Sequence, residues 1–240
     1  MTTLFISDLH LDGSRADIAR LAVDFIRRGA AGAAALFILG DLFEAWTGDD
    51  SADDTAVAIA GALATLHESG VPVYFIHGNR DFLLGDALAR HARLTVLPDA
   101  SIVDIEGTPT LLMHGDALCT DDVAYQKFRA EVREPAWQRR FLSRPPDDRR
   151  EFAGAARAES RRYGAQLDAA LADVSPDAVS AAMRRAGVTR LIHGHTHRPA
   201  IHRFTLDGQP AERIVLGDWY TQGSVLTIGP GEATLRTLAV

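Results

Sequence analysis

Five short apolar runs in this sequence each end in a cluster of Asp, Asn, His and Gly, and that recurrence constrains the fold most. Residues 3–7, 35–39 and 73–77 are rich in Ile, Phe, Leu, Val and Tyr. They lead into Asp8-Leu9-His10, Gly40-Asp41 and Gly78-Asn79-Arg80-Asp81. Two later runs lead into His114-Gly115-Asp116 and Gly194-His195-Thr196-His197. Between the first three runs, residues 14–28 and 52–68 carry apolar side chains at helical spacing, such as Ile18, Leu21, Ala22 and Phe25. Strands alternating with helices predict βαβ units and parallel pairing, hence an α/β fold. In open α/β sheets ligands bind outside the carboxyl ends of the strands. All five clusters are therefore positioned to share one site.

The pattern changes downstream. Residues 101–106 and 110–114 flank Gly107-Thr108-Pro109, which reads as a hairpin turn. From residue 190 onward the chain reads as strands at 191–193, 200–205, 213–216, 224–228 and 234–238, with Asp207-Gly208 as a tight turn. Residues 122–172 are Arg-rich and helical in composition, broken by Pro135, Pro145 and Pro146. They read as a helical insertion within a single domain spanning residues 1–240. Tyr125, Phe128 and Val132 share one helical face, as do Trp137 and Phe141, and core packing is the expectation for most of them.

Hydrophobic residues make up 47% and charged residues 24% of the chain, ordinary for a soluble globular protein. No apolar run is long enough to span a bilayer. The start of the chain lacks a basic, signal-like opening and reads as a first buried strand. Cys119 is the sole cysteine, which excludes an intramolecular disulfide and suits a reducing compartment. The net charge of −7 argues against nucleic acid as a partner. Residues 121–172 nevertheless hold eleven Lys/Arg against nine Asp/Glu, a locally basic segment beside an acidic body. That suits an anionic ligand or membrane surface, although for the charge alone a solvated helical face is the favoured reading.

The clusters offer a consistent set of donors. Asp8, His10, Asp41, Asn79, His114, His195 and His197 supply oxygen and nitrogen without thiolate. This mix suits borderline-hard divalent ions, Mn²⁺ foremost, with Fe²⁺, Co²⁺ or Zn²⁺ as alternatives. Asp8 and His10, two apart in an extended chain, should point to the same side. Seven donors are too many for one ion and suit two if a carboxylate bridges. Taken singly, each Asp or His also fits an ordinary turn or strand-end polar group. Five coincident strand-end clusters point to a shared task. His67, His91 and His202 read as surface or boundary residues, His77 and His193 as core or supporting groups, and Cys119 as structural.

Asp8-x-His10, Gly40-Asp41, Gly78-Asn79, His114 and Gly194-His195-x-His197 resemble the five motifs of the calcineurin-like metallophosphoesterase superfamily. Most of its members carry histidine after the asparagine, whereas this chain carries Arg80. That departure resembles the UDP-2,3-diacylglucosamine diphosphatase family of lipid A biosynthesis. So do Leu39-Gly40-Asp41-Leu42-Phe43-Glu44-Ala45-Trp46, Gly78-Asn79-Arg80-Asp81-Phe82-Leu83 and the run following His114. The resemblance covers residues 1 to about 223. It implies a four-layer αββα core with a helical lid at about 122–172. It assigns Asp8, His10, Asp41 and His197 to one metal, and Asp41, Asn79, His114 and His195 to the other, with Asp41 bridging. It implies two Mn²⁺ per chain, catalytic roles for Asn79, Arg80 and His195, and substrate contacts from Asn79, Arg80, Asp122, Ser160 and His195. Two family substrate positions fall on Gly164 and Leu167, which lack the usual polar groups, so those roles are not carried over.

The implied reaction is hydrolysis of UDP-2,3-diacylglucosamine to UMP and 2,3-diacylglucosamine 1-phosphate. The implied setting is a monomer lying peripherally on the cytoplasmic face of the inner membrane. The rivals are a superfamily enzyme acting on another nucleotide diphosphate or phosphodiester, and a non-catalytic scaffold of the same fold. A scaffold should have lost ligands, and none of the seven is missing.

Overall fold

The first strand shows how the layers arise. In the computed structural model, which describes residues 2–164 and 173–240, β1 (Thr3–Ile6) is buried on both faces. Successive side chains of a strand point to opposite faces. Leu4 and Ile6 accordingly join a core beneath helices, while Phe5 joins a second core between two sheets. The same division runs through β2 (Ala35–Ile38), where Leu36 and Ile38 face helices and Ala35 and Phe37 face the other sheet. Strands buried on both sides need continuous apolar runs, which is why these segments show no polar alternation.

The six-stranded sheet has the order β11-β10-β1-β2-β3-β4. Here β3 is Val73–Ile76, β4 is Thr95–Leu97, β10 is Gly223–Gly229 and β11 is Glu232–Leu238. β1 to β4 pair in parallel, and β10 pairs antiparallel with β1. Helices α1 (Ala16–Asp24), α2 (Asp54–Glu68) and α3 (Asp86–His91) supply the core beneath this sheet. Asp53 starts α2 by accepting a 2.8 Å hydrogen bond from the Ala56 N–H, which satisfies one of the helix's open donors.

The five-stranded sheet has the order β5-β6-β7-β9-β8. It comprises β5 (Ser101–Ile105), β6 (Thr108–Leu112), β7 (Arg190–His193), β8 (Ala200–Leu206) and β9 (Gln209–Val215). Its outer face packs Leu111 and Leu191 against Val179 and Met183 of α7 (Pro176–Ala186). Its inner face sets Leu112, Ile192 and Ile214 against Phe5, Phe37 and Leu226. The expected αββα sandwich is therefore present. Each large apolar side chain enclosed between the sheets contributes about 1.5–3 kcal/mol before chain entropy is counted.

One local expectation is corrected. The hairpin between β5 and β6 turns at Glu106 and Gly107, with φ of 52° and 78°, and Thr108 and Pro109 belong to the strand. Two consecutive positive φ values match the twist of the flanking strands. The insertion is broken at its prolines, as expected, and two of them also open the helices that follow. The insertion contains α4 (Val123–Arg133), α5 (Pro135–Leu142) and α6 (Pro146–Gly164). Pro135 and Pro146 occupy first helical positions, where the missing N–H has no intrahelical partner to lose. Gly164 ends α6, and Leu167 lies outside the described residues. Packing on the shared face is mixed: Val132 is buried, but Phe128 is 41% exposed. Trp137 and Phe141 do stack, at 4.8 Å.

Candidate metal centre

The five clusters meet at the carboxyl ends of β1, β2, β3, β6 and β7. The backbone that aims them is not extended, as expected for Asp8 and His10, but left-handed. Asp8, His10, Asp41, His195 and His197 have φ of 55°, 49°, 52°, 68° and 55°. Asp and His are among the residues that tolerate this region, yet each costs about 1–3 kcal/mol unless the surroundings hold it. The surroundings here are specific. Asp81 accepts hydrogen bonds from the N–H groups of Gly78 (2.8 Å), Leu42 (2.7 Å) and Asp41 (3.3 Å), locking the second and third loops together. A Cβ on Gly78 would overlap Asp41 Oδ1, and one on Gly194 would overlap Asp8 Oδ2, so only glycine lets these loops approach.

The donors converge in two groups. His10 Nε2 and His197 Nε2 are 3.2 Å apart, and His197 Nε2 lies 3.3 Å from Asp8 Oδ1. On the other side, His114 Nε2 and His195 Nδ1 each lie 2.9 Å from Asn79 Oδ1. Asp41 stands between, with Oδ2 3.8 Å from His10 Nε2 and Oδ1 3.7 Å from His114 Nε2. Asp8, Asp41 and His114 form a compact triad, as do Asp8, His10 and His197, so Asp8 is within reach of both groups.

The site is built for positive charge. Asp8 is fully buried, its Oδ2 accepts from Ser7 Oγ at 2.5 Å and the His195 N–H at 2.9 Å, and its Oδ1 has no hydrogen-bond partner among the described residues. A buried carboxylate oxygen facing several imidazole nitrogens is costly unless a cation meets it. Burial works to raise the Asp8 pKa, but the nearby imidazoles of His197, His114 and His10 hold it below the usual range. Burial should depress the His114 imidazole, yet the carboxylates of Asp41, Asp8 and Asp116 push it up to about 9. His195, buried beside His114, falls to about 4. The carboxylates thus hold a proton on His114 where a cation fits, and the orphaned oxygen with the imidazole nitrogens, once deprotonated, suits a divalent ion. Outer contacts fix the rings: His114 Nδ1 donates to the Leu39 carbonyl at 2.8 Å, leaving Nε2 to face the centre.

Arg80 borders the donors, and its backbone N–H donates to Asp41 Oδ1 at 2.8 Å. Arg80 Nε is buried without a hydrogen-bond partner among the described residues. Asn79, Asp122 and Ser160 line one cavity of about 370 Å³, together with Phe82, Tyr125, Phe128 and Val132. His67, His91 and His202 are exposed, as expected, and His193 and Cys119 are buried. His77 sits just past β3 with Nε2 2.8 Å from the Leu84 carbonyl.

Several neighbours were not singled out from sequence. Tyr220 stacks on His10 at 5.1 Å and 7°. Glu44 reaches His10 from the outside, and the Tyr125 hydroxyl donates to Asp116 at 2.6 Å. Glu44 and Asp116 lie within three residues of a candidate ligand, a usable signal. Tyr220 has none.

Comparison with known proteins gives a consistent answer. The model of the calcineurin-like phosphoesterase family matches residues 1–199. A Stenotrophomonas maltophilia protein, UDP-2,3-diacylglucosamine hydrolase, is 55% identical, with 100% of this chain and 99% of that protein covered. A protein of the same name from Xanthomonas axonopodis pv. citri is 52% identical, with both chains fully covered. Among solved structures, one described as a novel archaeal phosphodiesterase superposes with a TM-score of 0.51 at 12% identity, covering 99% of this chain and all of the other. That likeness bears on the fold alone.

Proposed function

The chain belongs to the calcineurin-like phosphoesterase family, a family of dimetal hydrolases, and from that premise we propose that it hydrolyses the diphosphate of UDP-2,3-diacylglucosamine, giving UMP and 2,3-diacylglucosamine 1-phosphate. The observation that carries this reading is the junction at Asn79. Its side chain belongs to the donor cluster and also lines the cavity walled by Phe82, Phe128 and Val132. An acylated sugar phosphate needs that pairing of a charged centre with an apolar chamber. Full-length identity to proteins bearing that substrate's name supports the same substrate.

Asp8, His10, Asp41 and His197 would hold one ion, and Asp41, Asn79, His114 and His195 the other. The absence of thiolate favours Mn²⁺. Two such ions would supply an activated water at neutral pH and neutralise diphosphate charge. Arg80 grips phosphate oxygens through a forked guanidinium and stabilises charge that develops as the bond breaks. A guanidinium holds its proton too tightly to be a good proton donor. That suits a phosphate leaving group, which needs less protonation than an alkoxide. Asn79 and His195 orient the attacked phosphate, and Asp122 and Ser160 meet the sugar beneath α4 and α6. Water adds its oxygen to the phosphorus next to uridine, the phosphoanhydride bond breaks, and the water proton passes to solvent.

The insertion and body act as one domain, and the insertion also delivers the substrate. Among the described residues no helix is long and apolar enough to cross a membrane. Val123, Phe128, Leu142 and Phe152 are exposed on the insertion, beside its arginines. They support reversible contact of a monomer with the cytoplasmic face of the inner membrane. Incubation with UDP-2,3-diacylglucosamine and Mn²⁺ in ¹⁸O-labelled water tests the reaction. Label in UMP is expected. Label in the lipid phosphate contradicts the direction of attack. Activity confined to water-soluble nucleotide diphosphates favours the rival substrate class.

A further inference from the structure

The backbone places Glu44 beside His10 before any side chain is considered. Past the ends of β1 and β2 the two chains stay zipped. The His10 N–H donates to the Asp41 carbonyl at 2.9 Å, the Leu11 N–H to Leu42 at 3.0 Å, and the Glu44 N–H to Leu11 at 3.0 Å. Glu44 is then set against the outer edge of the His10 ring, 18% exposed. Its two carboxylate oxygens face different partners. Oε2 lies 3.1 Å from His10 Nδ1, and Oε1 lies 3.2 Å from Arg157 Nη1 on α6.

His10 needs such a neighbour. A histidine can offer Nε2 to a cation only if its proton resides on Nδ1, and an acceptor at Nδ1 is what fixes tautomer and ring orientation. For His114 that acceptor is the Leu39 carbonyl. His10 Nδ1 is buried, and no described residue offers it a well-aligned hydrogen bond. Glu44 Oε2 is the acceptor within reach. Tyr220 packs flat on the ring, so it fixes the ring plane without addressing the tautomer.

We infer that Glu44 is the positioning residue for His10, and that helix α6 of the insertion holds Glu44 in place through Arg157. The inference rests on the reading of His10 as a metal ligand. Its consequence is a link between the insertion and the centre. Whatever orders α6 over the site tightens the carboxylate on His10, and ion binding at His10 in turn favours the closed position of Arg157, because such coupling is reciprocal. Glu44 would otherwise be only one half of an ion pair joining insertion to body.

Binding of Mn²⁺ to the metal-stripped full-length chain, followed by calorimetry, separates these possibilities. Wild type is expected to bind two ions and His10→Ala to lose or weaken one. Glu44→Ala should weaken that same ion by about 10–100-fold, the usual effect of removing a partner that orients a ligand. Glu44→Gln keeps an acceptor oxygen and similar shape, so it should recover most of the loss, and Arg157→Ala should weaken the same ion by a smaller factor. Long-range ¹H–¹⁵N spectra of the metal-free chain should show His10 protonated on Nδ1 in wild type and as mixed tautomers in Glu44→Ala. Wild-type affinity for both ions in Glu44→Ala, with one ion lost in His10→Ala, overturns the role of Glu44 and leaves the metal reading standing. Wild-type affinity in Arg157→Ala overturns the link to α6. Two tightly held ions in His10→Ala overturn the metal reading itself.

Discussion

Arg149 of α6 reaches into the body and forks onto Asp50, with Nη1 2.8 Å from Oδ1 and Nη2 2.5 Å from Oδ2. The same Nη1 donates to the Thr47 carbonyl at 2.6 Å. Arg149 is 1% exposed although it lies on a polar helix, whereas Asp50 is 60% exposed. Solvent screens the ion pair, so the buried bond to Thr47 carries most of the local stability, about 1 kcal/mol or more. Arg149→Met should therefore loosen the insertion without unfolding the body. Limited proteolysis is expected to cut within residues 135–150 several times faster, with a small change in melting temperature. An unchanged cleavage rate would show that α6 is held elsewhere.

Arg80 is assigned to charge stabilisation, not to building the centre. Arg80→Ala should lower kcat by about 10²–10³-fold, in the range seen when one preorganised donor is removed. Metal content measured by mass spectrometry should stay near that of wild type. Loss of metal in parallel with activity would make Arg80 structural.

Asp41 faces both donor groups, and its two oxygens are divided between His10 and His114. Asp41→Ala should abolish turnover and reduce bound metal below two ions per chain, with far-ultraviolet circular dichroism unchanged. Measurable turnover in this variant would refute the proposed bridging role.

Cys119 is the one thiol and is 4% exposed. Burial, with the nearby carboxylate of Asp116, pushes its pKa from the ordinary 9.0 up to about 12. Two consequences follow, each with a sign. At pH 8 about one molecule in 10⁴ is thiolate, so native protein should resist alkylation that denatured protein undergoes readily. Between pH 9 and 12 the unfolded chain loses this proton while the folded chain keeps it. Stability should fall with rising pH in that window, by up to about 1.4 kcal/mol per pH unit, and Cys119→Ala should remove that component. Rapid alkylation of native protein at pH 8 would contradict the buried, protonated thiol.

Much of the fold was legible because it follows from local chemistry. A run such as Leu4-Phe5-Ile6 with no polar alternation requires cover on both faces, and Asp207-Gly208 at φ of 50° and 81° is a turn in sequence and in space. The donors were legible because glycine and histidine recur at strand ends. Their aim was not. Asp8 and His10 converge through left-handed backbone that loop closure imposes, and extended geometry gives the right partners for the wrong reason. Contacts set by tertiary distance were equally hidden. Nothing near Arg149 in sequence announces Thr47 or Asp50, about a hundred residues away, and Tyr220 carries no pattern pointing to His10. Short α3 and β4 were missed because less than two turns of helix and three strand residues produce no readable period.

The proposed chemistry needs a pair of cations enclosed by these seven side chains, and anomalous diffraction from crystals grown with Mn²⁺ tests this most directly. Two peaks about 3.5–4 Å apart are predicted, one beside His10 and His197, the other beside His114 and His195, with Asp41 between them. A single peak, or manganese bound away from these donors, would contradict it.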